Sequence, residues 1–324
     1  MTKAMIVEEI GGPDVMQWRD FDPGEPGKGQ VRVAQKAAGL NFIDVYFRNG
    51  TYKAPRFPFV PGKEGAGKIV AVGEGVTNLK VGDRVAYNGV DGSYAQEVLV
   101  DAATAIHLPD GIDDETAAAV MLKGMTAEYL LRQTFKVGPG TTLLFHAAAG
   151  GVGLIACQWA KHLGATVIGT AGSQEKVELA LQHGCDHVIN YQTEDFVQRV
   201  AEITDGRKCD VVYDSVGQAT YPGSLDCLKR RGLFVSFGQS SGTIKNFDLA
   251  HLNQRGSLYA TRPSLFGYTA RREELEASAR ALFAVIGSGA VNIRINQRYA
   301  LEDAQTAHRD LESRATTGVS ILTV

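Results

Sequence analysis

The sequence predicts an α/β protein of two domains, in which a doubly wound parallel sheet accompanies a second domain rich in β-strands. At 324 residues, the chain is too long for one average hydrophobic core. Between residues 141 and 262, apolar runs alternate with helical patterns, which indicates parallel strands joined by helices. Before about residue 120, glycines separate short β-like runs, a pattern typical of a partly open β-barrel.

The two ends of the chain are expected to form one domain. Strands are predicted at 31–37, 67–72, 84–87 and 95–100, followed by helices at 113–121 and 127–133. The tail gives a helix at 271–288, a strand, a helix at 301–313 and a final strand at 318–324. We expect this tail to complete the first domain, so the predicted domains are 1–124 with 263–324, and 125–262.

The middle of the chain reads as six strands with helices between them. The strands are predicted at 143–146, 166–170, 187–190, 210–214, 233–237 and 258–261. The helices are predicted at 151–163, 174–183, 194–204, 221–230 and 248–254. The basic triplet 229–231 would then end a helix and interact favourably with its dipole.

A run of small residues joins the first of these strands to the first helix. The spacing Ala147-x-x-Gly150-x-x-Gly153, with Gly151 and Val152 inside it, is a variant of the dinucleotide turn. Such a turn aims backbone N–H groups at an anion, and the helix dipole adds positive potential there. The sequence therefore predicts a Rossmann domain whose helix N-terminus binds a diphosphate.

Composition excludes several other classes of protein. The net charge of −3 and the 21% of charged residues fit a globular enzyme and argue against a nucleic-acid binder. Residues 137–160 contain no Asp, Glu, Lys or Arg, but glycines and Pro139 divide them, so we expect a strand and a helix rather than a membrane span. The four cysteines are far apart in sequence, which indicates buried thiols in a reducing compartment, the cytoplasm.

A series of ordered motifs resembles the medium-chain dehydrogenase/reductase superfamily, and within it the quinone oxidoreductases related to zeta-crystallin. The resemblance covers almost the whole chain. It implies a GroES-like catalytic domain, a Rossmann domain, NADPH bound in the cleft between them, and a homodimer formed through the strand near 258–261. The motifs lie at 11–13, 39–44, 61–67, 81–85, 123–127, 146–153, 213–217 and 313–314.

Two positions depart from the zinc-dependent branch of that superfamily. Asn41 stands where zinc alcohol dehydrogenases have a cysteine, and Lys63 stands where they have a histidine. An amide and an ammonium are poor zinc ligands, and the four-cysteine zinc loop is missing because no cysteine precedes Cys157. We therefore expect no metal. Without a Lewis acid, a quinone or another conjugated acceptor suits the reaction better than an alcohol.

The second predicted strand of the Rossmann domain ends without an acidic residue. An NAD enzyme needs a carboxylate there to bind the ribose 2′-OH, whereas this chain has Gly172 and Ser173, followed by Lys176. Ser173 and Lys176 could bind a 2′-phosphate, or they could be an ordinary helix cap and a solvated side chain. Tyr191 resembles a family residue that reaches the same phosphate, although packing alone could also explain it.

The candidate catalytic residues are Asn41, Asp44, Tyr46, Tyr52 and Thr126. Asn41 is either a turn residue or a group that orients a carbonyl beside the nicotinamide. Asp44 either orients neighbouring groups or starts a helix. Tyr46 and Tyr52 either stack on a flat acceptor or pack ordinarily.

Further residues resemble cofactor contacts of the family. Lys123 precedes the Rossmann turn and could instead be a helix-flanking charge, and Arg314 could instead end a helix. Phe237, Gly238 and Ser240 end the fifth predicted strand at the ligand-binding edge, where a simple turn is the alternative. The complete expected cofactor set is Asn41, Lys123, Thr126, Ala147, Gly150, Gly151, Val152, Gly153, Gly172, Ser173, Lys176, Tyr191, Ser215, Phe237, Gly238, Ser240 and Arg314.

Three functions are consistent with this reading. The first is NADPH-dependent, zinc-independent reduction of quinones. The second is reduction of activated alkenes such as enones, which the same fold and cofactor would allow. The third is a protein that binds NADPH or RNA without catalysis, which the acidic balance of the chain disfavours.

Overall fold

The computed structural model describes residues 1–54 and 56–324, which divide into two compact units. Unit 1 comprises Met1–Met125, Thr269–Gly287 and Ile293–Val324, and unit 2 comprises Thr126–Tyr268 and Ser288–Asn292. Residues 263–268 and 288–292, which the sequence assigned to the first domain, therefore belong to unit 2. Tyr268 stacks on Tyr129 with ring centroids 4.6 Å apart, and the Asn292 N–H donates to Gln158 Oε1, so both segments are bound there.

In chain order, the described residues form fifteen strands and ten α-helices. The first half contains β1 (Thr2–Val7), β2 (Met16–Phe21), β3 (Gln30–Gly39), α1 (Phe42–Arg48), β4 (Glu64–Val72), β5 (Arg84–Asn88), β6 (Glu97–Asp101), β7 (Ile106–His107), α2 (Asp114–Tyr129), β8 (Thr142–Phe145), α3 (Gly151–His162) and β9 (Thr166–Ala171). The second half contains α4 (Gln174–Gln182), β10 (His187–Asn190), α5 (Phe196–Ile203), β11 (Cys209–Asp214), α6 (Gly223–Asp226), β12 (Leu228–Ser236), α7 (Leu249–Gln254), β13 (Tyr259–Thr261), α8 (Leu265–Tyr268), α9 (Arg272–Gly287), β14 (Ile295–Ala300), α10 (Ala304–Glu312) and β15 (Val319–Thr323).

Unit 1 is built on a seven-stranded sheet and a separate hairpin. The sheet runs β14-β15-β3-β4-β5-β7, and β6 pairs with β3 outside that order, while β1 and β2 pair with each other. The C-terminal strand β15 lies antiparallel to β3, with Ile321 opposite Gly39. The expected return of the tail to the first domain is therefore present.

Unit 2 contains the predicted doubly wound sheet. All six strands are parallel and lie in the order β10-β9-β8-β11-β12-β13. After β8, the chain first adds β9 and β10 on one side and then β11, β12 and β13 on the other, so the strand order reverses between β8 and β11. In such sheets, ligands bind at the carboxyl ends of the strands where the order reverses. The turn after β8 lies at this place, and β13 is an edge strand.

Three predicted helices differ from the structure. The helices expected at 113–121 and 127–133 are one helix, α2, followed by a single wide turn at Leu130–Thr134. The helix expected at 221–230 ends at Asp226, and the basic triplet lies on β12 because Leu228 is buried and pairs with Cys209. The triplet therefore does not end a helix, and Lys229 forms an ion pair with Asp210.

All four cysteines are free and buried, and the fold brings them together in pairs. Cys157 lies close enough to Cys185 for a thiol hydrogen bond, and the Cys209 N–H donates to the Cys227 carbonyl at 2.9 Å. Each helix formed by residues 1–54 and 56–324 is too short or too polar to cross a bilayer.

Candidate active site

The turn between β8 and α3 has the geometry of an anion cradle. Ala147 adopts a left-handed backbone (φ 55°), and its carbonyl accepts the Gly150 N–H at 2.9 Å. A Cβ on Gly153 would lie 2.5 Å from the carbonyl oxygens of Ala147 and Ala148. Glycine is therefore required for the helix to approach the strand this closely.

The first turn of α3 leaves its backbone donors available. Gly150 occupies the N-cap and supplies no side-chain acceptor. The N–H groups of Gly151, Val152 and Gly153 have no partner within a helix of this geometry. This arrangement of donors, with the positive end of the helix dipole, fits a pyrophosphate.

The residues expected to select the cofactor meet at the end of β9. Ser173 caps α4 by accepting the Lys176 N–H at 3.3 Å. A Cβ on Gly172 would lie 2.3 Å from the Tyr191 hydroxyl, so the phenol covers this glycine. The structure thus brings Gly172, Ser173, Lys176 and Tyr191 together, with no acidic side chain in the 169–173 segment.

The loops after β11 and β12 are held against each other. The Ser240 N–H donates to the Ser215 carbonyl at 3.1 Å, and a Cβ on Gly238 would lie 2.6 Å from that oxygen. Phe237 begins this loop and packs against Phe145, with ring centroids 5.6 Å apart.

Two charged residues outside the expected site order these loops: Asp214, which is buried, and Arg262, which is exposed. Asp214 accepts the N–H groups of Val216 and Gly217 at 2.8 and 2.9 Å. The Arg262 guanidinium donates to the carbonyls of Ser236 and Gly238 at 3.1 and 2.7 Å. Asp214 is the last residue of β11 and Arg262 directly follows β13, and this position at the carboxyl ends of strands is the signal that could have identified them.

His146 is a structural residue. Its Nδ1 lies 3.0 Å from Thr170 Oγ1 and its Nε2 lies 3.0 Å from Ser224 Oγ. Burial lowers the pKa of the imidazole. Both ring nitrogens of this histidine, which directly follows β8, therefore have hydrogen-bond partners.

In unit 1, Asn41 and Lys123 both bind Glu64, which is fully buried. Asn41 Nδ2 donates to Glu64 Oε1 at 2.8 Å, and Lys123 Nζ lies 2.9 Å from the same oxygen. The Leu122 N–H donates to Oε2 at 2.5 Å. A Cβ on Gly39 would lie 2.1 Å from Oε1, so this glycine makes room for the carboxylate.

Asp44 lies in the first turn of α1 and is buried. Its Oδ2 accepts the Asn41 N–H at 3.0 Å and the Tyr94 hydroxyl at 3.1 Å. Burial raises the pKa of this carboxyl to about 7, although both hydrogen bonds oppose the shift. The two roles expected for Asp44, starting a helix and orienting its neighbours, are thus both present in the geometry.

Aromatic residues in and just after α1 form a cluster. The rings of Tyr46 and Tyr52 are 5.1 Å apart at their centroids, and the ring of Phe47 is 5.7 Å from that of Tyr52. Lys63 Nζ lies 4.3 Å from the centroid of Phe47 and pairs with Asp91. Lys63, which stands where zinc alcohol dehydrogenases have a histidine, therefore contacts Phe47 and Asp91.

Two candidates remain, Thr126 and Arg314. Thr126 is buried in α2 one turn beyond Lys123, so both face the same side of that helix. Arg314 follows α10, is exposed and has a left-handed backbone (φ 62°). Across the part of the chain that the structure describes, no three His, Cys, Asp or Glu side chains are grouped to hold a metal ion.

Comparisons with known families agree with both units. Residues 27–110 match the alcohol dehydrogenase GroES-like domain, and residues 151–284 match the zinc-binding dehydrogenase family. The predicted combination of a GroES-like domain and a Rossmann domain is therefore confirmed.

Individual relatives narrow the family further. The chain is 54% identical to a quinone oxidoreductase of Pseudomonas aeruginosa, over 99% of each chain. It is 43% identical to a 2-haloacrylate reductase of a Burkholderia species, over 99% of each. The crystal structure of Escherichia coli quinone oxidoreductase complexed with NADPH superimposes with a TM-score of 0.98 at 50% identity, covering 99% of this chain and 100% of that one. The chain therefore belongs to the quinone oxidoreductase family of the medium-chain dehydrogenase/reductase superfamily.

Proposed function

We propose that this protein is an NADPH:quinone oxidoreductase that works without zinc. The observation that carries the proposal is the cradle at the start of α3, where Gly153 permits close packing and three N–H groups have no partner within the helix. Its relatives named quinone oxidoreductase, and the NADPH complex of one of them, support the choice of cofactor and acceptor.

In this proposal, unit 2 binds the nucleotide. The N–H groups of Gly151, Val152 and Gly153 hold the pyrophosphate, and Ala147 and Gly150 shape the turn. The residues that bind the 2′-phosphate are Ser173, Lys176 and Tyr191, beside Gly172. The remaining contacts are expected from Ser215, Phe237, Gly238, Ser240, Thr126, Lys123, Asn41 and Arg314.

Residues in α1 and on either side of it act on the acceptor by position. NADPH, when bound, supplies the reducing equivalents. Asn41 orients the reacting rings, because Glu64 holds one of its amide N–H groups and Asp44 holds its backbone. Tyr46 and Tyr52 offer flat faces for a quinone to stack on, and their packing excludes water.

The direct test follows NADPH absorbance in the presence of 1,4-benzoquinone. We expect turnover well above the uncatalysed rate, and the rate should survive exhaustive treatment with a zinc chelator. Turnover no faster than in buffer, or loss of turnover that added zinc restores, would contradict the proposal.

Cofactor selectivity is predicted to depend on Lys176. Charge-assisted hydrogen bonds contribute about 1.5–3 kcal/mol, so Lys176→Met should weaken NADPH binding by roughly tenfold to a hundredfold. NADH binding should stay nearly unchanged. Calorimetric titration of both nucleotides checks this, with Lys161→Met as control because Lys161 pairs with Asp186 at the other end of α3. Equal losses for both nucleotides would remove Lys176 from the phosphate site.

A second candidate function is the reduction of activated alkenes. The 43% identity to a 2-haloacrylate reductase favours it, because such an acceptor is also conjugated. Rates measured with benzoquinone, a small enone and 2-chloroacrylate at saturating NADPH would rank these acceptors. A higher kcat/KM for either alkene than for the quinone would replace the first proposal with the second.

The proposal also includes a cytoplasmic homodimer. The four cysteines are unpaired thiols, as in proteins of reducing compartments. The edge strand β13 exposes Tyr259, and an exposed strand edge is a natural surface for a second copy of the chain.

A further inference from the structure

A chain of buried side chains connects α10 to the first turn of α1. Arg48 Nη1 lies 3.1 Å from His308 Nδ1, and His308 Nε2 lies 3.1 Å from the Tyr94 hydroxyl. The Tyr94 hydroxyl lies 3.1 Å from Asp44 Oδ2. Arg48, Tyr94, His308 and Asp44 are each at most 1% exposed, so water does not compete for these contacts.

The chemistry of these groups fixes which atom donates and which accepts in each hydrogen bond. A guanidinium has only donors, so His308 Nδ1 must accept from Arg48 and the proton of the neutral ring must lie on Nε2. Burial, together with the charge of Arg48, lowers the pKa of His308 to about 3, which keeps the ring neutral. The Nε2–H therefore donates to the Tyr94 oxygen, and the Tyr94 O–H donates to Asp44.

Both ends of the chain are anchored. At the outer end, Arg48 Nη2 donates to the two carboxylate oxygens of Glu312 at 2.8 and 2.9 Å. At the inner end, Asp44 Oδ2 also accepts the Asn41 N–H, and the Asn41 amide continues to Glu64. Asp44, which accepts the Asn41 N–H, is thus itself fixed by the hydrogen bond that Tyr94 donates.

We propose that Tyr94 and His308 are positioning residues, which set the orientation of Asn41 through a one-directional hydrogen-bond chain from Arg48 to Asp44. This inference rests on the proposed function, in which Asn41 orients the reacting rings. It adds two residues from outside the expected site, one of them in the C-terminal helix α10.

The test removes single members of the chain. Tyr94→Phe deletes only the hydroxyl and keeps the ring that packs edge-on against His308. His308→Leu removes both ring nitrogens, and a third variant combines the two changes. Tyr299→Phe is the matched control, because its hydroxyl donates to Asp310 on the same helix and lies outside the chain.

Activity has a defined pattern in these variants. Loss of a well-placed orienting group lowers kcat by about tenfold, while the dissociation constant of NADPH should change by less than about twofold. Because both changes break one chain, the double variant should lose no more than either single variant. Losses that multiply in the double variant, or folded single variants with the kcat of the unchanged protein, would overturn the inference.

Nuclear magnetic resonance gives a readout that does not need turnover. In histidine-labelled protein, the nitrogen-15 shifts should show His308 protonated on Nε2, with the signal assigned by its absence from His308→Leu. The Asn41 side-chain amide should move in Tyr94→Phe and stay unchanged in Tyr299→Phe. Protonation on Nδ1, or an Asn41 signal that does not move in Tyr94→Phe, would refute the chain. If the unchanged protein did not oxidise NADPH at all, the proposed function would fail, and these two signals would still decide the inference.

Discussion

Glu64 illustrates how much one buried side chain can organise. Its carboxylate is fully buried and binds Asn41, Lys123 and the Leu122 N–H. It therefore joins a strand, a helix start and α2 through one pair of oxygens. A buried ion pair contributes little net stability, but the loss of one member leaves a charge without compensation.

Glu64→Gln is expected to destabilise unit 1 by about 3–5 kcal/mol, because the Lys123 ammonium would stay buried without a counter-charge. The measurement is urea unfolding in a Trp159→Phe background, where Trp18 in unit 1 is the remaining tryptophan. Adding Lys123→Gln should recover most of the loss. A double variant as unstable as Glu64→Gln alone would show that charge is not the cause.

Asp44 gives the stability of unit 1 a pH dependence. Its folded pKa of about 7 exceeds the ordinary value of 3.8, so the folded state binds the proton more tightly. The contribution of this group is complete below the lower value and is lost as the pH rises through the upper one. At 1.36 kcal/mol per pKa unit, the free energy of unfolding of Asp44→Asn should rise by about 3–4 kcal/mol relative to that of the unchanged protein as the pH rises through this window. Melting curves from pH 4 to pH 8 check this, and parallel curves for the two proteins would contradict it.

The sequence could identify the residues whose role depends on local pattern. Asn41, Asp44 and Lys123 stand in short motifs. In the structure, the backbone N–H of Asn41 donates to Asp44 and its side-chain amide donates to Glu64. Glu64 stands between Lys63 and Gly65, ahead of the strand predicted at 67–72, so no local pattern marks it as a buried charge. His308 carried no such signal either, because Tyr94 and Arg48 become its neighbours only after the tail has folded back.

At the scale of elements, the gap between the helices predicted at 113–121 and 127–133 contains Gly124. Glycine weakens a helix, but here it lies inside α2. In the structure, a Cβ at this position would lie 2.5 Å from Leu282 Cδ1 on α9. The glycine therefore serves close packing of two helices, a tertiary requirement that local propensity cannot reveal.

The packing of α3 against β8 leads to a prediction about cofactor affinity. Gly153→Ala would push a methyl group against two backbone carbonyls and displace the first turn of the helix. We expect NADPH binding to weaken by at least about tenfold, because the N–H groups would no longer converge on the pyrophosphate. Calorimetric titration measures this. Gly267→Ala is the control, because open space surrounds that position; an unchanged dissociation constant in Gly153→Ala would contradict the cradle.

For the molecule as a whole, the sequence predicts the division of the chain into two units in outline, but not their exact boundaries. The return of the tail to β3 follows from its strand pattern and places β15 in unit 1. The short segment Ser288–Asn292 crosses back to unit 2 through hydrogen bonds with Gln158. Such a contact joins residues 134 positions apart, and no local pattern records it.

The proposed homodimer is tested at this scale. Tyr259→Lys places a charge on the edge strand β13, where like charges from two copies would meet, and it should yield monomers in sedimentation velocity. Val81→Lys is the matched control, because Val81 in unit 1 has the same 61% exposure as Tyr259. Both variants sedimenting as dimers would exclude β13 as the interface.

The burial of every cysteine matters for a protein that handles quinones. Quinones are electrophiles that add covalently to thiolates, and thiolate formation requires an accessible group of low pKa. Burial raises the pKa of Cys209 to about 12 and also raises that of Cys227, and contact with Cys185 raises that of Cys157. The four thiols are therefore shielded from the quinone acceptor, and we expect the protein to withstand arylation at cysteine through many turnovers.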